Sequence, residues 1–396
     1  MARNAFRLLA WASCLAATPL WASEIRATRV DEKTIRVTVP GRFETAFTMR
    51  KGFGATWFDL AHDPEKKLDL APVLDENGFL WTKAAGPGMG DGSWYANPPQ
   101  KMELLEAGPV RVRVRLSGPH CRYGSTSPKA AWPDLAFEQT FTLYPSGHVY
   151  IDYALITQKP VPLHHFLLII KSTGAWGKRG KPQVHCASEA GEKRPSAEAP
   201  AAFALQWSDG PTWFQDILMV LHRGRYSGTY WDEGFEAKDV RAGLNLLGRW
   251  PDKTVPKGTD RIFLLMRFAD DMNGAKAAAP YASDYRSPDR PGVAEGKLVT
   301  TDEGDADADG FNEAEGCYVV EAGPKGVAFT LHGSKTPRLT PALKVRGWRG
   351  NAPKAIRLGG REFAAGADFV ASASGGILLI QMLDGIRDDA RITITP

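Results

Sequence analysis

The sequence predicts an all-β fold: a large antiparallel β-sandwich followed by a small C-terminal β-sandwich. Three observations predict it. Val110, Val112, Val114 and Leu116 alternate with Arg111, Arg113 and Arg115, the period of two that buries one face of a strand. The β-rich runs 136–143 and 148–157 flank Tyr144-Pro145-Ser146-Gly147, a short turn joining the two strands of an antiparallel hairpin. Beyond residue 295, short apolar runs recur between Gly, Pro and Asn turns, the spacing of a compact sandwich of about 100 residues.

The elements follow in chain order. Arg3 and Arg7, an apolar stretch from Leu8 to Leu20 and the small-residue site Trp21-Ala22-Ser23 have the order of a secretory signal peptide. Residues 1–22 are therefore expected to be removed and the protein exported, to the periplasm or outside the cell. The apolar stretch is shorter than the roughly 20 residues that span a bilayer. No integral membrane segment is expected after cleavage. The large sandwich is expected over 23–285, with further strands at 24–29, 34–39, 163–171, 204–207, 217–222 and 261–268. Short helices are expected at 237–247 and 275–281. The stretch 172–202 reads as a long exposed loop and 283–295 as an interdomain linker. The small sandwich occupies 286–396 and carries an acidic loop.

The formal charge is +4, and removal of Arg3 and Arg7 leaves +2. So balanced a chain implies no general affinity for nucleic acid or a membrane surface. Of four cysteines, Cys14 lies in the leader, leaving Cys121, Cys186 and Cys317. In an oxidising compartment Cys121 and Cys186 are expected to pair, with Cys317 a buried thiol. No CxxC, GxSxG, HExxH or Walker sequence occurs.

Five stretches could carry chemistry. Asp305, Asp307 and Asp309 alternate before Gly310, so three carboxylates can converge on one cation while the glycine permits a sharp turn. Gly316 stands where a helical calcium hand would have Glu, and Glu313 and Glu315 are the substitutes at hand. A structural calcium ion fits this pattern; a solvated acidic linker is the alternative. The segment 226–245 gathers Tyr230, Trp231, Asp232, Glu233, Arg241 and Asn245, where aromatic faces could stack on sugars and carboxylates act as acid and base. Asp232 or Glu233 with Asp239 could make the carboxylate pair of a glycoside hydrolase. The alternative is an ordinary loop packing its aromatics. His164 and His165 are adjacent on an apolar strand, so one of them can face a groove. Arg111, Arg113 and Arg115 share one strand face, either to bind a polyanion or as a solvated surface. Trp94 and Tyr95, in the Gly-rich stretch 86–99, could belong to a lid over a sugar or to a structural loop.

The hairpin 137–153, with Phe-Thr-Leu-Tyr-Pro-Ser-Gly-His-Val-Tyr-Ile at its centre, resembles the strand–turn–strand of galactose-mutarotase-like β-sandwiches. That family recurs in epimerases, glycoside hydrolases and polysaccharide lyases, often with a small β-domain appended. The resemblance implies a partner that is a carbohydrate or polysaccharide. The reading it leads to is β-elimination of an acidic polysaccharide. His164, His165 or Tyr230 would move the proton, and Arg241 or Asn245 would stabilise the carboxylate. Trp94, Tyr95, Trp231 and the arginine row would hold the sugar. A non-catalytic carbohydrate-binding or envelope protein could use the same aromatics, and a glycoside hydrolase the paired carboxylates.

Overall fold

A computed structural model describes residues 24–49, 100–121, 131–161, 254–267 and 280–396 in full, and the backbone of further strands and of the start of one helix between them. The expected signal peptide lies outside the described residues. The chain is almost entirely β. A four-stranded antiparallel meander (Arg26–Asp31, Thr34–Val39, Phe43–Thr48, Gly54–Asp59) precedes a fourteen-stranded sheet. The centre of that large sheet is Val112–Arg122, Ala131–Leu143, His148–Thr157 and Gly258–Ala269, all antiparallel. The predicted hairpin closes on Gly147, whose φ of 84° suits a residue without a side chain. The Tyr144 N–H donates to the His148 carbonyl at 3.0 Å across that turn.

Alternation gives this sheet two different faces. Val112, Val114, Leu116, Phe141, Ile151 and Leu264 are buried, and Phe141 meets Phe47 of the meander at 5.1 Å between ring centroids. The opposite face carries Arg111, Tyr150 and Leu265 and is covered by the C-terminal part of the chain. That part is a sandwich of a five-stranded and a six-stranded sheet. Phe329, Leu331, Ile392 and Ile394 of the one sheet share a core with Tyr318, Val320, Val345 and Ile380 of the other. The same buried cluster includes Tyr144, Tyr150 and Leu265, so the C-terminal sandwich and the large sheet are packed together without a solvated gap at this point. Among the described residues no helix is long and apolar enough to cross a membrane.

Four expectations need correction. Most of the helix expected at 237–247 is strand: Arg241–Gly248 is paired along its length with Tyr226–Glu233, and 237–240 lie outside the described residues. Ladder pairing outweighs the modest helix preference of this Ala- and Leu-containing run. The 172–202 loop contains the strands Gln183–Ser188 and Gly191–Lys193. The 283–295 linker is largely ordered: the helix Ala275–Arg286 runs into it, and buried Tyr285 packs on Tyr150 at 5.8 Å and Phe311 at 6.4 Å. The Cys121–Cys186 bridge does not form, because Cys121 is a buried free thiol. Its strand, Val112–Arg122, lies six positions from Gln183–Ser188 in the sheet order, whereas a bridge needs Cα atoms within about 7 Å.

Candidate functional site

The acidic loop is built on local hydrogen bonds. Asp305 accepts from the backbone N–H of Ala308 at 2.7 Å and of Gly310 at 2.9 Å, and Asp309 from that of Phe311 at 2.7 Å. Those bonds curl the chain until one carboxylate oxygen from each of Asp305, Asp307 and Asp309 lies within 4.8 Å of the others. Ala308 takes φ 63° and Gly310 φ 92° to do this. Burial, together with the neighbouring Asp307 and Asp305, raises the Asp309 carboxyl to about 7. Three carboxylates held this close repel one another unless a proton or a cation joins them. Oxygen donors on a curled loop suit a hard divalent metal, so the cluster could hold one.

Glu313 and Glu315 are not part of that cluster. Glu313 is buried, and its Oε2 accepts from the Ala306 N–H at 2.8 Å. Burial first, then Asp309 and Asp307, push it to about 9. Glu315 points the other way, into the large sheet. Its Oε2 lies 2.8 Å from Arg111 Nη1, both its oxygens 2.9 Å from Lys344 Nζ, and its Oε1 3.4 Å from Arg113. Although burial opposes ionisation, these three cations hold the carboxyl well below its ordinary range. Metal ligation by Glu315 is therefore corrected: the carboxylate is already neutralised by side chains. At position 316 a side chain would overlap the Tyr150 ring, so glycine there lets the loop seat against the sheet.

The same contacts revise the arginine row. Arg111 is only 2% exposed, and besides Glu315 it holds Glu106 at 2.9 Å. Arg115 pairs with Glu103 at 2.9 Å. The three guanidiniums share a face as alternation requires, but carboxylates from the same chain occupy them. Arg111 is thus neither a solvated residue nor open to a polyanion.

The remaining candidates lie on the other wing of the large sheet and are placed here by backbone register. His165 is opposite Trp81, and Trp81 is opposite Trp94. Directly opposed residues stand on the same face, with strands about 4.8 Å apart. These three positions therefore form a row across three strands. A bulge beside the row, between Leu167 and Ile169, adds a residue to the Glu76–Trp81 strand. Asn245 is opposite Ile169 and Trp231 opposite Gly243, and alternation assigns both to the face of His165. Tyr230 and Tyr95 fall on the opposite face. Asn245 is level with a position four residues along from His165, or roughly 13 Å at strand rise. Trp231 is six along and Arg241 eight, roughly 20 and 26 Å. His164 and most of the 86–99 stretch lie outside the described residues. Trp81 is the member that the sequence reading missed. It ends an apolar Gly-Phe-Leu-Trp run whose partner strand is more than eighty residues away.

No protein-family model matches the sequence, and no curated protein does. Its structural neighbours are polysaccharide lyases and galactose or aldose epimerases. Heparan sulfate lyase HepC from Pedobacter heparinus, in a mutant form, aligns with a TM-score of 0.35 and 8% identity, over 70% of this chain and 40% of that one. Galactose 1-epimerase from Lactobacillus acidophilus aligns at 0.34 and 7%, over 63% of this chain and 100% of its own. An α-N-acetylgalactosaminidase from Bifidobacterium bifidum aligns at 0.39 and 13%, over 60% and 36%. The chain spans less than half the length of the first of these neighbours, the polysaccharide and heparan sulfate lyases.

Proposed function

We propose that this is an exported carbohydrate-active protein acting on acidic polysaccharide by β-elimination. The observation that carries the reading is the in-register row Trp94–Trp81–His165. Two indole positions offer stacking area for sugar rings, and the adjacent histidine is the residue type that most often serves as a general base. In the reaction His165 takes the proton α to a uronate carboxylate. The electron pair moves onto the carboxylate, and the C–O bond one carbon further breaks, which leaves an unsaturated sugar and expels the other chain end as an alkoxide that takes a proton from water. Asn245, on the same face, is the better placed of the two candidates to steady the developing charge, because Arg241 lies about twice as far along the sheet. Tyr230 falls on the opposite face and does not share the proton with His165.

The test is a screen of the purified protein against acidic and neutral polysaccharides, following ultraviolet absorbance of unsaturated products and reducing ends separately. His165→Ala is expected to lower turnover by about 10²–10⁴-fold with binding retained, as for loss of a general base. Trp81→Ala is expected to weaken binding instead. Binding without either product would replace the lyase reading by a non-catalytic one, and reducing ends without absorbance by a hydrolase.

We also propose that the cation of the acidic loop is calcium and that its role is structural. Its expected contribution follows from linkage: a ligand at 100 times its Kd stabilises the folded state by about 2.7 kcal/mol. Chelator should lower the melting temperature, calcium should restore it, and Asp307→Ala should be insensitive to both. A melting curve indifferent to chelator in the parent protein would exclude the metal.

A further inference from the structure

A cavity lies at one end of the C-terminal sandwich, in a part of the chain that the proposed reaction does not use. Its volume is about 440 Å³, within the range of small-molecule sites. It forms where two neighbouring strands of one sheet, Cys317–Glu321 and Ala342–Arg346, run out side by side into turns. The turns are tied together: the Ala322 N–H donates to the Arg346 carbonyl at 2.8 Å, and the Trp348 N–H to the Gly376 carbonyl at 2.9 Å. The Trp348 indole N–H is held by the Asn351 carbonyl at 3.0 Å. The walls are therefore set before any ligand arrives.

The lining combines an aromatic, cations and carboxylates. Trp348 supplies an apolar wall, Arg346 and Arg349 the cations, and Glu321 an acceptor, with the terminal residue Pro396 beside them and Gly347 adding no side chain. Arg346 gives one arm to Asp302 at 2.8 Å. Arg349 is exposed and enters none of the ion pairs among the described residues. A planar fork of N–H donors beside an indole and carboxylate acceptors matches a ligand that is anionic at one edge and hydroxylated at the other. We infer that this cavity binds one anionic sugar residue, carboxylated or sulfated, and so anchors the polysaccharide away from the reacting centre. The inference rests on the proposed acidic-polysaccharide reading and adds a second contact point to it.

The experiment is calorimetric titration of the full chain with three probes: a glucuronate-containing disaccharide, a sulfated disaccharide with no carboxylate, and a neutral glucose disaccharide. Each is run in the parent, Arg349→Ala and Arg349→Glu. Because Arg349 is exposed, neither change should disturb folding, whereas Trp348 is core and is left alone. At least one charged probe is expected to lose about tenfold in affinity on Arg349→Ala and more on Arg349→Glu, and the probe affected tells carboxylate from sulfate. Repeating the titration in His165→Ala should give parent affinity at this site. Arg349-dependent binding with no unsaturated product in the parent would keep the cavity and discard the lyase reading. Product formation with all probes indifferent to Arg349 would discard the cavity alone. No binding of any charged probe would also overturn it.

Discussion

Replacing Glu315 by alanine is expected to destabilise the protein by roughly 3–5 kcal/mol, the usual cost of removing one partner from a buried ion pair. Among the described residues Glu315 is the carboxylate that touches Arg111, Arg113 and Lys344 together. Without it, Arg111 would keep only its pair with Glu106, and Arg113 and Lys344 would lose the pairs they make here. Arg111 is 98% withdrawn from solvent and could not recover hydration without separating the large sheet from the C-terminal sandwich. The junction would also lose shape. The Tyr144 hydroxyl donates to the Glu315 carbonyl at 2.8 Å, and Thr142 to the Ala314 carbonyl at 3.3 Å, so the backbone of this loop is docked by the same residues. Glu315→Gln, which keeps the shape and removes only the charge, should fall between the parent and alanine. Glu103→Ala breaks the pair with Arg115 on the same strand, but that pair is half-exposed, and its loss should matter far less. Urea unfolding followed by tryptophan fluorescence would measure all three. Equal midpoints for Glu315→Ala and Glu103→Ala would show that the junction does not depend on this carboxylate.

The arginine row illustrates what was legible in the sequence. Period-two alternation identified the strand and its buried valine face from seven consecutive residues. It could not say what lies over the other face, because the covering carboxylate is 204 positions further along. A charged row reads as solvated, or as waiting for a polyanion, unless that distant partner is known. Local features fared better. The hairpin around Gly147 and the carboxylate triad 305–309 are each set by a few neighbouring residues, and both appear where expected. Glu315 was misread for the converse reason. Nearness in sequence assigned it to the triad, whereas space assigns it to Arg111 and Lys344. The row Trp94–Trp81–His165 was only half legible. Trp94 and His165 stood out by residue type, but the pairing of Glu76–Trp81 with His165–Ile169 that aligns them joins strands more than eighty residues apart. The turn of helix predicted near 237–247 failed because pairing with Tyr226–Glu233 is likewise a tertiary effect.

Two buried histidines are expected to withdraw stability from the protein as the pH falls below about 6.5. Both are held in the neutral state. His120 is completely buried between Phe137, at 5.7 Å, and Tyr153, whose hydroxyl is 3.4 Å from Nε2. Among the described residues its Nδ1 has no hydrogen-bond partner. An imidazolium there would carry an N–H with no acceptor and a charge with no counter-ion, and burial accordingly lowers its pKa to about 3. His148 is held by Ser146 at 2.8 Å and stacked near Tyr150 and Tyr281; burial, then the charges of Arg267 and Arg42, depress it in the same direction. In the unfolded chain both rings take up a proton near pH 6.5. Between that pH and the folded pKa the unfolded state therefore binds more protons than the folded one. The contribution of each ring is fully present above pH 6.5 and is lost as the pH falls, by about 1.4 kcal/mol per pH unit. For His120 this amounts to about 2 kcal/mol by pH 5. His120→Leu keeps an apolar side chain of similar reach and removes the titration. Its unfolding free energy should therefore decline less steeply than that of the parent between pH 7 and pH 5. Salt should change the difference little, because burial and not a surface charge sets it. Parallel pH profiles for parent and variant would mean that the folded protein admits a proton at His120, and that the ring is not sealed as its surroundings indicate.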